Sequence, residues 1–287
     1  MSTELPSIEN DFDFETAGFM AVLLSRQHQT LTENITKLRT EITIEAIHDA
    51  RVAIRATKSL LKSFSPLLKR RARRELVDQI NEFNQHLEPI RNLDALLSLT
   101  AKLENQHVQT VLREELIQQR ATEVNRLEQS LTEPIVEQLW NRFAEFSLHP
   151  PVSKSQLELS NLEQYRNIIY LIEESWIHLF DQILKLPNKP RPSQLHLVRI
   201  ATKHCRYTYQ AVGQLGIHRN QQLEVWTKSL QQRLGQIQDQ QTYITWISHQ
   251  RFDAVIKTQA LDQFFNAKPS KRKLLSGIDL VSEVELE

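Results

Sequence analysis

Apolar residues recur three and four positions apart through most of this chain. In the first long segment Met20, Leu24, His28, Leu31, Ile35 and Leu38 fall on one such stripe, the pattern of a helix packing one face in a bundle. The positions between are rich in Leu, Gln, Glu, Arg and Lys, all good helix formers. The same pattern predicts helices over roughly 44–65, 68–86, 90–106 and 108–132, a shorter one around 135–146, and others over roughly 156–186, 193–213, 220–236 and 239–265. Prolines set the expected breaks. Pro89 divides two helices, Pro150-Pro151 reads as a hinge between halves, and the run LPNKPRPS from Leu186 to Ser193 cannot be helical throughout. The expected fold class is all-α. Residues 1–15 read as a flexible acidic tail, 267–287 as a flexible tail, and residues 16–266 as the folded part, divided into 16–148 and 149–266.

Laying one helix on another exposes an internal repeat. His48, Arg51, Arg55 and Lys58 have counterparts at His196, Arg199, Lys203 and Arg206, each 148 residues further on. At about 100° per residue these positions, with Lys62 one step beyond Lys58, fall on a single narrow stripe. From His48 to Lys62 it spans about 21 Å at 1.5 Å per residue, long enough to follow several consecutive phosphates. Ala50, Ala53, Thr57, Leu60 and Phe64, joined by Ile47, Ile54 and Leu61, form the opposite arc, which is the expected core face. Asp49, Val52, Ala56, Ser59 and Ser63 fill the remainder with mostly small side chains that admit a neighbouring backbone. In the second half Ala201, Cys205 and Val212 take the core arc.

Charge sharpens this picture. Lys+Arg and Asp+Glu each number 35, so no bulk charge draws the 287-residue chain to nucleic acid or to membranes. Locally the charges are sorted. Residues 45–74 hold nine cations against Glu45 and Asp49, and residues 182–219 hold seven cations and no acid. Only five glycines occur, and they are too dispersed to write a Walker-type loop or a GxGxxG turn. Phosphate recognition therefore falls to side chains, and no cofactor is implied. The single cysteine, Cys205, forms no internal disulfide and reads as a packing residue. His28 reads as a core histidine, and Trp140, Trp176, Trp226 and Trp246 as core anchors. The basic run Lys268, Lys271, Arg272 and Lys273 reads as a solvated linker. With no secretory signal and no long apolar run, the expectation is a soluble cytoplasmic protein without a membrane partner.

The two basic helices resemble the signatures of the CHAD family, the conserved histidine α-helical domains. The first signature stands as HDARVAIRATK from His48 to Lys58, and the second as HLVRIATKHCRY from His196 to Tyr207. The resemblance covers roughly residues 16–266. It implies two four-helix bundles related by pseudo-twofold symmetry, with the signature helices lining a central basic cavity that binds inorganic polyphosphate. The site residues it implies are His48, Arg51, Arg55, Lys58, His196, Arg199, Lys203 and Arg206. Lys62 joins them from spacing alone, and Arg91 as a weaker candidate, because Arg91-Asn92-Leu93-Asp94 departs from the family's Arg-Asp-x-Asp.

On this reading the protein is a binder rather than an enzyme, directed to polyphosphate granules. The enzymatic alternative is an accessory or catalytic module in metal-dependent polyphosphate hydrolysis, but no carboxylate cluster suited to Mg²⁺ stands beside the stripes. His48 and His196 also lack a metal-ligating partner four residues on, so no metal site is assigned. A nucleic-acid binder is the other alternative. It is disfavoured because the first stripe has no aromatic residue to stack on bases, and only Tyr207 flanks the second.

Overall fold

The computed structural model describes residues 14–132, 134–216, 221–265 and 271–275. Residues 1–13 and 276–287, most of both expected tails, lie outside them, as does Lys268. The helices are α1 (Thr16–Thr40), α2 (Ile44–Ser63), α3 (Arg70–Thr100), α4 (Gln106–Leu131), α5 (Pro134–Leu148), α6 (Lys154–Leu157), α7 (Asn161–Leu184), α8 (Pro192–Gly213), α9 (Gln221–His249), α10 (Ala254–Phe265) and α11 (Lys271–Leu275). Among the described residues there is no strand pairing beyond one isolated bridge.

The repeat seen in the sequence extends to the elements. Helix α8 begins 148 residues after α2, at Pro192 against Ile44, and α10 begins 148 residues after α4, at Ala254 against Gln106. Corresponding neighbours pack alike: α1 on α2 and α7 on α8, α2 on α3 and α8 on α9, α3 on α4 and α9 on α10. The halves meet chiefly where α2 crosses α8 and α3 meets α9. Small residues permit the first crossing, where Ser63 Oγ lies 2.5 Å from Thr208 Oγ1 and 3.3 Å from His204 Nε2.

Four expectations about boundaries change, one being that the helix expected over 239–265 breaks at 250–253, between α9 and α10. Helix α3 runs straight through Pro89. The proline withholds one backbone donor, a cost of about 3 kcal/mol in a helix interior. Burial of Leu87 and Ile90 in one core and of Leu93 and Leu96 in another offsets it at about 1.5–3 kcal/mol per large apolar side chain. Helix α9 likewise continues through 237–238, where the helices expected over 220–236 and 239–265 divide, because Leu230, Leu234, Tyr243 and Ile247 are all buried along it. The expected helix over 156–186 instead breaks, because Ser160 starts α7 afresh: its backbone N–H donates to Glu163 Oε2 at 2.9 Å, one half of a capping box.

Pro150-Pro151 is no free hinge. Lys69 N–H donates to the Pro151 carbonyl at 2.7 Å, Ser153 N–H to the Leu67 carbonyl at 2.8 Å, and Leu68 and Val152 form the isolated bridge. Both side chains of that bridge are buried. Lys271 is also tied down, its amine donating to the Leu186 carbonyl at 3.0 Å, so this member of the basic run docks α11 rather than lying in a solvated linker.

Two apolar cores form. The larger joins α1, α2, α5, α7 and α8 with the N-terminal part of α3 and α9, and so passes from one half into the other. The smaller gathers Leu96, Leu112, Tyr243 and Ala260 from α3, α4, α9 and α10. Every residue assigned to the core arc of the first basic helix is buried, as are Ala201, Cys205 and Val212 in the second. His28 is half-buried at the core edge, its ring 5.2 Å from Phe143 and edge-on to it. The four tryptophans are partly buried, and Trp176 packs edge-on against Trp226.

Candidate functional site

The crossing of α2 and α8 sets the two basic stripes against each other. Arg51 is buried, and Arg55, Lys58, Arg91, Arg199, Lys203 and Arg206 are half-buried, whereas His48, Lys62 and His196 are exposed. The charges of Arg55, Arg91 and Arg199 act on Arg51, and those of Arg55 and Arg91 act on Arg199. Lys203 feels Arg199 on its own helix and Arg55 and Arg51 on α2. Cations from both halves, joined by Arg91 from α3, therefore share one electrostatic cluster.

Few internal partners neutralise it. Arg51 Nη1 donates to Asn84 Oδ1 at 3.2 Å, and its other terminal nitrogen lies 3.7 Å from Glu88 on α3. Glu88 also acts on Lys58, and Asp239 on α9 offsets Arg199 and Lys203. The Nε atoms of Arg51, Arg55 and Arg199 are all buried without a hydrogen-bond partner among the described residues. Buried donors are normally satisfied, and each exception calls for an explanation. Three such guanidiniums, from two helices, lie in one cluster with few internal partners.

The cluster also changes protonation. Burial, then Arg199, Arg55 and Arg51, push the Lys203 ammonium down to about 7, against the opposing pull of Asp239. His48, though exposed overall, is lowered below the ordinary histidine range by partial desolvation of its ring first and the Arg91 and Arg55 charges next. Lys58 is lowered by burial, with Glu88 opposing. At its N-terminal end the site opens into a cavity of about 570 Å³ whose lining includes His48, Asp49, Arg91, Asp94, Gln236 and Asp239.

The remaining candidates lie around this centre. His196 Nδ1 is 3.3 Å from Gln238 Oε1, and Arg206 Nη1 donates to Gln231 Oε1 at 3.0 Å while its guanidinium sits 5.8 Å from the Tyr207 ring centre. Lys62 stands apart from the arginine cluster, and its charge bears on His204. Sequence reasoning missed Asn84, Glu88, Gln231 and the part played by Asp239. The signal available was Asn84 four positions before Glu88, but Glu88 lies past the end of the helix expected over 68–86. Asp94 does not serve the cluster: it is buried and pairs with Arg120 Nε at 2.6 Å. Among the described residues no group of three or more His, Cys, Asp or Glu is placed to hold a metal ion. None of the described helices is long and apolar enough to cross a membrane.

A family model for the CHAD domain matches residues 22–248, a span containing both basic helices. The chain belongs to the CHAD family. Solved structures share its CHAD fold. The CHAD domain from the plant Ricinus communis matches with a TM-score of 0.71 at 19% identity, covering 94% of this chain and 90% of that one. PptA from Streptomyces chartreusis matches with a TM-score of 0.70 at 16% identity, covering 87% of this chain and 92% of that one. A comparison with curated proteins gives no match. At these identities the structural likeness speaks for the CHAD fold alone.

Proposed function

We propose that this protein binds inorganic polyphosphate without hydrolysing it, along the cationic cluster formed where α2 crosses α8. The observation that carries the reading is the cationic cluster of Arg51, Arg55 and Arg199, drawn from both halves and left with few internal partners. Arginine's planar fork suits bidentate phosphate contact, and Lys203 and Lys58 offer compact charges to neighbouring oxygens. Arg91, His48, His196, Arg206 and Lys62 extend the positive surface on either side. The likeness of the two signature helices to the CHAD motifs supports polyphosphate among linear polyanions. Association with polyphosphate granules in the cytoplasm would follow from the same affinity.

Fluorescence anisotropy with labelled polyphosphate tests this. Neutralising about five phosphates releases their counterions, so log K should fall against log salt with a slope of about −3 to −4. RNA and DNA, added at equal phosphate concentration, should compete poorly. Preferential binding of nucleic acid would replace this reading with the phosphodiester one. Release of phosphate from polyphosphate in the presence of Mg²⁺ or Mn²⁺ would favour the hydrolytic one.

A further inference from the structure

A second cavity, of about 680 Å³, opens between α3, α4 and the C-terminal part of α9. Its volume lies within the range of small-molecule sites, about 300–1,000 Å³. Neighbouring residues of α3 and α9 face different ways: Asn92 and Gln238 line this cavity, whereas Arg91 and Asp239 line the one at His48. Its chemistry is the opposite of the basic cluster's. Among its described lining residues there is no lysine or arginine, and the one carboxylate, Glu123, already pairs with Arg126 at 2.5 Å. What the walls offer is five carboxamides, on Asn92, Gln119, Gln238, Gln241 and Gln250, each carrying both donors and an acceptor. Buried Leu93 and Leu96 supply an apolar floor. Trp246 is the one indole or phenyl ring among the described lining residues, and its position is fixed. Its Nε1–H donates to Gln119 Oε1 at 3.1 Å, and the Gln119 amide donates in turn to Glu115 Oε1 at 2.7 Å and to Gln250 Oε1 at 3.2 Å. Phe252 packs edge-on against the indole with ring centres 5.9 Å apart. A platform held in place like this costs a ligand little ordering entropy to engage.

We infer that this cavity binds an uncharged saccharide, with one sugar ring against Trp246 and its hydroxyls on the surrounding carboxamides. Hydroxyl and carboxamide match, because each both donates and accepts. A pyranose also turns a face of C–H groups to one side, which suits the apolar body of an indole. An anionic ligand finds no fixed cation in the described lining, and a cationic one finds its carboxylate taken. A nucleobase shares the hydrogen-bonding match but is aromatic on both faces, and only one of them would meet a ring here. Carboxamide walls also discriminate: a ligand of the same shape stripped of its hydroxyls leaves desolvated amides unpaired and loses affinity. The cavity stands independently of the polyphosphate reading, although the two sites meet at Gln238, which lines the cavity while its Oε1 lies 3.3 Å from His196 Nδ1.

Isothermal titration calorimetry of the full chain with two neutral trisaccharides, maltotriose and cellotriose, tests this, with adenosine as the comparison. At least one trisaccharide should bind with a dissociation constant of about 1 mM or tighter. Trp246→Leu, which removes the platform, should weaken that binding about tenfold. Trp246 is also packed against the smaller core, so a second variant avoids any cost to the fold. Gln241 is exposed, and Gln241→Ala, checked for native helicity by circular dichroism, should weaken binding about three- to tenfold through its lost hydrogen bonds. Absence of binding by both trisaccharides overturns the inference. Binding that is unchanged in Gln241→Ala also overturns it, because the sugar would then sit elsewhere. Adenosine binding tighter than either trisaccharide would assign the cavity to a nucleobase instead.

Discussion

Lys203 and His48 carry different parts of the pH dependence. Lys203, pushed to about 7 by burial and by Arg199, Arg55 and Arg51, is mostly neutral in the free protein above that pH. A bound polyanion favours its ammonium form and raises its pKa, so binding is accompanied by proton uptake. The linkage fixes the sign. Affinity is greatest at and below about pH 7 and falls as pH rises from there toward the pKa of the bound state, by at most tenfold per pH unit. Arginine retains its charge throughout this range. Polyphosphate titrations between pH 7 and 9 should therefore show a steep loss of affinity in the native protein and a flatter profile in Lys203→Arg. Parallel profiles would remove Lys203 from the coupling. His48, lowered by partial desolvation of its ring and by the Arg91 and Arg55 charges, gains its proton below the ordinary histidine range, so its contribution appears on the acidic side. At this scale nine of the ten candidate residues fall on the two stripes by spacing, and Arg91 comes from the family resemblance. Their order of importance was not legible, because burial separates Arg51 from Lys62 on what looks like one uniform stripe.

At the scale of elements, the long helices follow from amphipathic periodicity, and the errors lie where one residue's propensity opposed a whole face. Pro89 breaks a helix by local rules yet lies inside α3, and Gly235, just before the expected division at 237–238, lies inside α9. Apolar burial along α3 and α9 outweighs the local cost. Gly235 offers a direct test, because a Cβ placed there meets nothing within 4 Å and the backbone is helical. Gly235→Ala should stabilise the protein by about 0.5–1 kcal/mol, through lower unfolded-chain entropy and better helix propensity. Urea denaturation would register this as a higher midpoint at unchanged slope. A midpoint that falls would mean that α9 needs a glycine there for a reason other than space.

The molecule as a whole is held together across its repeat. The larger core draws on α1, α2 and α5 as well as α7 and α8, and the segment around Pro151 is hydrogen-bonded to the α2–α3 connection. Neither half therefore closes a core of its own. Heat or urea should unfold the chain in one transition, with helical circular dichroism and tryptophan fluorescence changing together. Two separated transitions would show that the halves melt independently. The sequence by itself determined the all-α class, the repeat, the core arc of each signature helix and the residues of the basic stripes, because helical periodicity and a constant spacing are properties of one dimension. Only the tertiary structure decided that Arg91 joins the stripes, that Asn84, Glu88 and Asp239 moderate them, and that Asp94 is committed to Arg120. It also turned a presumed hinge into a docked connection. Electrostatic coupling and burial depend on distances between residues far apart in the chain, and these exist only once α2 and α8 have crossed.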